Sequence, residues 1–313
     1  MVCFAISYVF TYHVVLIEDK APRMELLNSQ SDASPANERL HKMQLLLAWE
    51  GGIKRSRLIE LFGLSPIRAS EWLREFRDAY PEWVLWDAKE RSHLATAVAM
   101  RDFQQPAART IIQIGRYLGL IGLPAASPDK PTGNVVWATS STLAAPTPLI
   151  FSALNTAIRT RRQVAITYMS MANPTPHQRL ITPHSLVLAG RRWHVRAWCE
   201  LRGEFRDFVL GRITKVEASS MPARMTLADD ESWNKQVPVK LVPHPALTQE
   251  QAKVIRFEFF RGTAAWTETC RAALIRYYID DVGAALDPDI QRPPAYQLAV
   301  GNLKELRPWT FQP

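Results

Sequence analysis

The sequence predicts an α+β chain of several domains, and three observations predict it. Near the N-terminus, three short amphipathic helical segments are followed by two strand-like runs around a polar turn. In the middle, short strand-like runs crowd into residues 164–218. At the C-terminal end, strand and helix patterns mix without any chemical motif. The chain has 313 residues, 47% of them apolar, so it can bury a real core and is not disordered or fibrous.

Residues 1–35 read as a leader. Met1–Ile17 carries no Lys, Arg, Asp or Glu, but its 17 residues sit at the lower limit for a membrane span. It lacks the basic start of a secretory signal, and Met24 offers an alternative start. No other apolar run is long enough to cross a bilayer, so no membrane contact is expected. The only cysteines are Cys3, Cys199 and Cys270. Three scattered thiols exclude a disulfide scaffold and a four-cysteine zinc site, and they suit a reducing cytoplasm.

Residues 36–100 form the first unit. Leu40, Met43 and Leu47 share one face of a helix over 38–50, which Gly51-Gly52 stops. Ser56 is the expected cap of a second helix, which ends at Gly63. Ser65 caps a third helix and Pro66 opens it, where its missing N–H costs nothing. Ala69, Trp72, Leu73, Phe76 and Tyr80 face inward on it. Val84–Trp86 and His93–Thr96 are the two strands. Three helices and a hairpin in this order are those of a winged helix-turn-helix, whose third helix can enter a DNA major groove.

Residues 101–149 read as a helix over 107–121 and a Pro-rich linker containing Pro124, Pro128, Pro131, Pro146 and Pro148. A helix over 149–162 leads into residues 150–222. Strands are expected at 164–168, 180–189, 192–198, 205–213 and 214–218, at the spacing of a small β-barrel or strongly bent sheet. In residues 223–313, 254–260 reads as a strand, 264–281 as a helix and 296–300 as a strand.

The net charge of +8 is not spread evenly. Residues 150–220 hold 11 basic and 4 acidic side chains, while 36–100 hold 10 and 9. A basic excess favours a polyanionic partner. In the first unit, Arg68, Ser70 and Arg74 are the candidate base or phosphate readers of the third helix. Arg55 and Arg57 lie at the start of the second helix and Lys89 and Arg91 at the wing tip. In the middle unit, Arg179, Arg196, Arg206 and Arg212, with Tyr168, His184 and His194, suit a phosphate held by charge and a base held by stacking. Some of these arginines can instead pair with acids across domains.

The residues of the middle unit carry a family likeness. Ile166-Thr167-Tyr168, Arg179 to Pro183-His184, Gly190 to Trp198 and Phe205 to Ile213 resemble a WYL domain. The naming Trp-Tyr-Leu triad stands here as Trp193-His194-Val195. The whole order over residues 37–313 resembles bacterial WYL transcriptional regulators, above all the repressors found beside BREX and CBASS phage-defence systems. The resemblance implies an SH3-like β-barrel that senses a nucleotide or short nucleic acid. It also implies a small C-terminal α/β dimerisation domain. A homodimer on an inverted-repeat operator, repressing its own phage-defence operon, follows from it.

No G-x-S-x-G, Walker A, G-x-G-x-x-G or H-E-x-x-H motif occurs, and the histidines are dispersed. No catalytic residue, metal site or cofactor is therefore expected. The alternative is a nucleic-acid-processing enzyme or effector that acts on single strands through the central barrel. The scarcity of carboxylates in 150–220 argues against it.

Overall fold

In the first helix, α1 (Pro35–Glu50), a continuous run from Met43 to Glu50 is buried, so this helix is a central strut. The computed structural model of the protein describes residues 35–103, 107–122, 146–189 and 192–310. The leader over 1–34, Pro124, Pro128, Pro131, Gly190 and Arg191 lie outside these residues.

Gly51 ends α1 at a φ of +72°, where a side chain is strained and a Cβ would come within 2.9 Å of Thr156. Gly52–Ile53 then forms a short strand, β1, where the sequence shows only a helix stop. Helix α2 (Arg55–Phe62) starts from Lys54, without a side-chain cap. Ser56 lies inside the helix, so the expected cap at Ser56 is corrected. Gly63 closes α2 in the left-handed conformation, its N–H donating to Ile59 O.

Helix α3 (Pro66–Ala79) is capped by Ser65, whose Oγ accepts from the Arg68 N–H at 3.3 Å. Ala69, Trp72 and Phe76 are its buried residues. The wing strands are β2 (Val84–Asp87) and β3 (Ser92–Ala95), and they join β1 in the order β1-β3-β2. Two helices follow, α4 (Ala97–Asp102) and α5 (Ala107–Leu120).

Helix α6 (Pro148–Thr160), capped by Thr147, leads into a five-stranded antiparallel sheet. Its strands are β4 (Arg162–Tyr168), β5 (His177–Ala189), β6 (Arg192–Cys199), β7 (Glu204–Val209) and β8 (Ile213–Pro222), in the order β7-β6-β5-β4-β8. The strand expected over 205–213 stops at Val209, because Leu210–Arg212 wind into a 3-10 turn between the two edge strands. Among the described residues no ladder joins β7 to β8, so the sheet is open and is not a closed barrel.

The C-terminal unit corrects two expectations. It comprises α7 (Glu231–Asn234), β9 (Gln236–Pro243), α8 (Gln249–Phe260), β10 (Trp266–Arg271), α9 (Ile275–Asp281), β11 (Ala284–Ala285), β12 (Leu298–Val300) and α10 (Leu303–Thr310). The segment 254–260, expected as a strand, is the second half of α8, which a capping box of Thr248 and Gln251 nucleates. The helix expected over 264–281 is β10 followed by α9, and β9 has no counterpart among the expected strands.

Two cores result. One contains residues of α1, α2, α3, α5, α6 and the five-stranded sheet, so the head and the sheet share an interior. The other belongs to the C-terminal unit, around Val239, Ile275, Ile279 and Leu306. Aromatic rings tie the shared core together. Trp49 of α1 meets Phe151 of α6 at 5.3 Å, and Phe151 meets Trp193 of β6 at 5.0 Å, both edge to face.

Candidate nucleic-acid interface

The outer face of α3 repeats every three or four residues, and this puts Ser70, Arg74 and Arg77 on one side. With α2 and the wing they line a cavity of about 710 Å³. Lys54, Arg55, Arg74, Arg77 and Arg91 line it as cations, against the single carboxylate Glu90. Lys54 pairs with Glu90 at 3.2 Å. Arg55 and Arg74 are exposed, and no ion pair holds them among the described residues. Such a groove presents exposed guanidinium forks, which can bond phosphates or guanine edges.

The expected DNA residues divide. Arg55, Ser70, Arg74 and Arg91 come together in the groove. The Ser70 hydroxyl donates to Pro66 O at 2.9 Å and can still accept a bond. Arg68 is exposed beside it and makes a surface pair with Glu71 at 3.0 Å. Lys89 lies in the exposed wing turn and is not among the groove residues. Arg57 turns the other way. Its Nε and Nη2 donate to Glu50 at 3.1 and 2.9 Å, and its Nη1 to Glu60 at 3.0 Å. Glu50 also accepts from the Tyr117 hydroxyl at 3.3 Å, so Arg57 joins α2 to α1 and α5. Arg77 and Trp86 are groove residues that residue type and spacing alone do not single out. The Trp86 ring lies 5.0 Å from the His93 ring and is 55% exposed.

The expected effector residues scatter more. A register shift between Pro183 and Ser185 inserts His184 as the extra residue of a bulge in β5. The bulge aims His184 at Asp230, Nε2 lying 3.1 Å from Oδ2. Arg196 meets the same carboxylate twice, Nε donating to Oδ2 at 2.7 Å and Nη2 to Oδ1 at 3.1 Å. Its Nη1 donates to Asp207 at 3.3 Å, and Asp207 accepts from the Tyr277 hydroxyl at 2.9 Å. Burial opposes the charge on Asp230, yet hydrogen bonds from His184 and Arg196 outweigh it and hold the carboxyl well below its usual range. The His194 ring lies 4.9 Å from that of Tyr277, tilted by 43°, and burial lowers its imidazole below the ordinary value against the pull of Asp207.

Cross-strand register separates the rest. Arg206 lies opposite Ala197 and Arg196 opposite Asp207, so these arginines occupy opposite faces of the sheet. Arg206 pairs with Glu204 at 3.3 Å, and Arg179 lies opposite Ile166. Arg212 sits in the 3-10 turn, close enough to His194 to act on its charge. Tyr168 is core, edge to face with Phe208 at 5.2 Å. A mainly apolar cavity of about 680 Å³ between β5, β10 and α9 is lined by none of these seven residues. Asp230 and Tyr277 carry no signal in the sequence, and only their partners in space reveal them. Among the described residues no cluster of His, Cys, Asp and Glu could hold a metal, and no helix is long and apolar enough to cross a membrane.

Comparison with known proteins covers the same three units. Residues 36–115 match the BrxR transcriptional regulator winged helix-turn-helix domain, 150–218 the WYL domain and 236–306 the BrxR transcriptional regulator C-terminal dimerization domain. The DNA-binding transcriptional repressor CapW of Escherichia coli strain KTE188 is 32% identical over 274 residues, covering 86% of this chain and 89% of the relative. CapW of Pseudomonas aeruginosa is 32% identical over 275 residues, covering 86% and 90%. CapW of Stenotrophomonas maltophilia is 31% identical over 281 residues, covering 87% and 91%. With a winged helix-turn-helix head, a central WYL domain and a C-terminal dimerisation domain in this order, the chain belongs to the CapW and BrxR family of WYL-domain transcriptional repressors.

Proposed function

We propose that the chain is a dimeric DNA-binding repressor that grips an inverted-repeat operator beside its own phage-defence operon in the cytoplasm. The cationic groove between α2, α3 and the wing carries this reading. Free guanidinium groups there match a duplex, and the repressor names of its relatives point the same way. The chain is then a regulator and not an enzyme. Residues 36–100 act as the head, 101–149 as the connection, 150–222 as the sensing domain and 223–313 as the dimerising unit. The open sheet of 150–222 is read as an SH3-like barrel split at one seam.

The effector in this reading is a nucleotide or short nucleic acid. It would contact Arg179, Arg206 and Arg212 as separate points along an extended polyanion rather than in one pocket, since Arg196 and His184 are committed to Asp230. Gel shifts with the DNA upstream of the gene test the repressor reading. A dimer-sized complex on a two-fold repeat is expected, and binding no tighter than to random DNA contradicts it. Short oligonucleotides added to that complex test the effector. Release from the native protein, but not from the triple variant Arg179→Ala, Arg206→Ala, Arg212→Ala, is expected.

A further inference from the structure

One apolar side chain stands on the cationic face of α3. Ile67 is 73% exposed, the most exposed large apolar residue of the head. It occupies the second position of the helix, one residue after Pro66 and two after the Ser65 cap. Helical spacing puts it in line with Ser70 and Arg74, and the three share a cavity of about 380 Å³ with Arg55. Nothing in the head's core requires an aliphatic residue there, because Ala69, Trp72 and Phe76 already fill the inner face. The isoleucine is left in water beside Arg55 and Arg74, which no ion pair holds among the described residues.

A DNA major groove presents hydrogen-bonding edges and phosphates, which the neighbouring Ser70, Arg55 and Arg74 suit. It offers one apolar group, the C5 methyl of thymine. We infer that Ile67 reads a thymine methyl in each half-site of the operator and so sets the base preference at that position. This rests on the repressor reading above and deepens it. The Ser65 cap and the proline fix the first turn of α3, so the isoleucine is presented by a rigid helix end rather than a loop.

The test uses the full chain and duplexes it selects from a random pool. Each thymine of the selected site is replaced in turn by deoxyuridine, which removes only the methyl. One thymine per half-site is expected at which this weakens native binding about fourfold, the factor for returning one apolar carbon group to water. Ile67→Ala, which removes the contact from both half-sites of the dimer, should lose this factor twice, roughly sixteenfold, on the thymine duplex and show no further loss on the deoxyuridine one. Native indifference at every thymine overturns the inference while leaving DNA binding intact. So does full methyl sensitivity in Ile67→Ala. If no duplex is selected at all, the repressor reading falls and this inference with it. Unchanged thermal melting of Ile67→Ala shows that the variant is folded.

Discussion

Arg196 and Asp230 lock the WYL sheet to the C-terminal unit through two parallel hydrogen bonds, at 2.7 and 3.1 Å. Both residues are buried, at 7% and 1% exposure; removing Arg196 takes a permanent cation from Asp230, and removing Asp230 leaves the buried guanidinium with Asp207 alone. Arg196→Ala and Asp230→Ala are each expected to destabilise the chain by about 3–5 kcal/mol. Arg196→Lys keeps the charge but loses the fork, and it should recover only part of this. Urea unfolding of the full chain measures the loss; native stability in Asp230→Ala contradicts the lock.

Acid should weaken the same seam in two stages. The lowered pKa of His194 means that the unfolded chain binds its proton first, so stability falls as pH drops below about 6.5. The depressed pKa of Asp230 means that its contribution is complete above about pH 4 and is lost as pH falls further. Melting temperature followed from pH 8 to pH 3 should decline across both windows. His194→Gln should shrink the upper one without abolishing it, because burial also lowers His41 and His93 in the head. A melting temperature that rises toward pH 5 contradicts the assignment.

The head depends on the sheet through Phe151. Its ring contacts both Trp49 and Trp193, and it is almost fully buried. Phe151→Ala should cost about 3–5 kcal/mol. Limited proteolysis should then cleave the head faster than the C-terminal unit, whose core is separate. Equal cleavage of both units would show that the ring contact does not join head and sheet.

Local chemistry made the head legible. Ser65-Pro66 and Gly63 specify their own backbone, and they form as expected. Alternation likewise located the strands of the WYL unit. The C-terminal unit was misread where two signals conflicted. Val254 to Phe260 carries β-branched and aromatic residues, yet the capping box at Thr248 and Gln251 starts a helix through them. Strand β9 contains Pro238 and Pro243, which hide its pattern.

The site was legible in residue type but not in partnership. Arg196 reads as a free cation along the chain because Asp230 lies 34 residues away, and Asp207 meets Tyr277 across 70. No periodicity reports such pairs. Arg57 looks like a phosphate reader beside Arg55, but Glu50 at the end of α1 turns it inward. The bulge at His184 likewise depends on the register of two strands.

The salt dependence of operator binding tests the central claim, that the α2–α3–wing groove holds the duplex. Arg55→Ala with Arg74→Ala should lower affinity at least about tenfold and shrink the logarithmic salt slope by about four, because a dimer carrying both changes neutralises two fewer phosphates in each half-site. Arg57→Ala, whose side chain is tied to Glu50, should instead lower stability and leave the slope unchanged. If the double variant binds with native affinity and native slope, the duplex lies elsewhere on the protein.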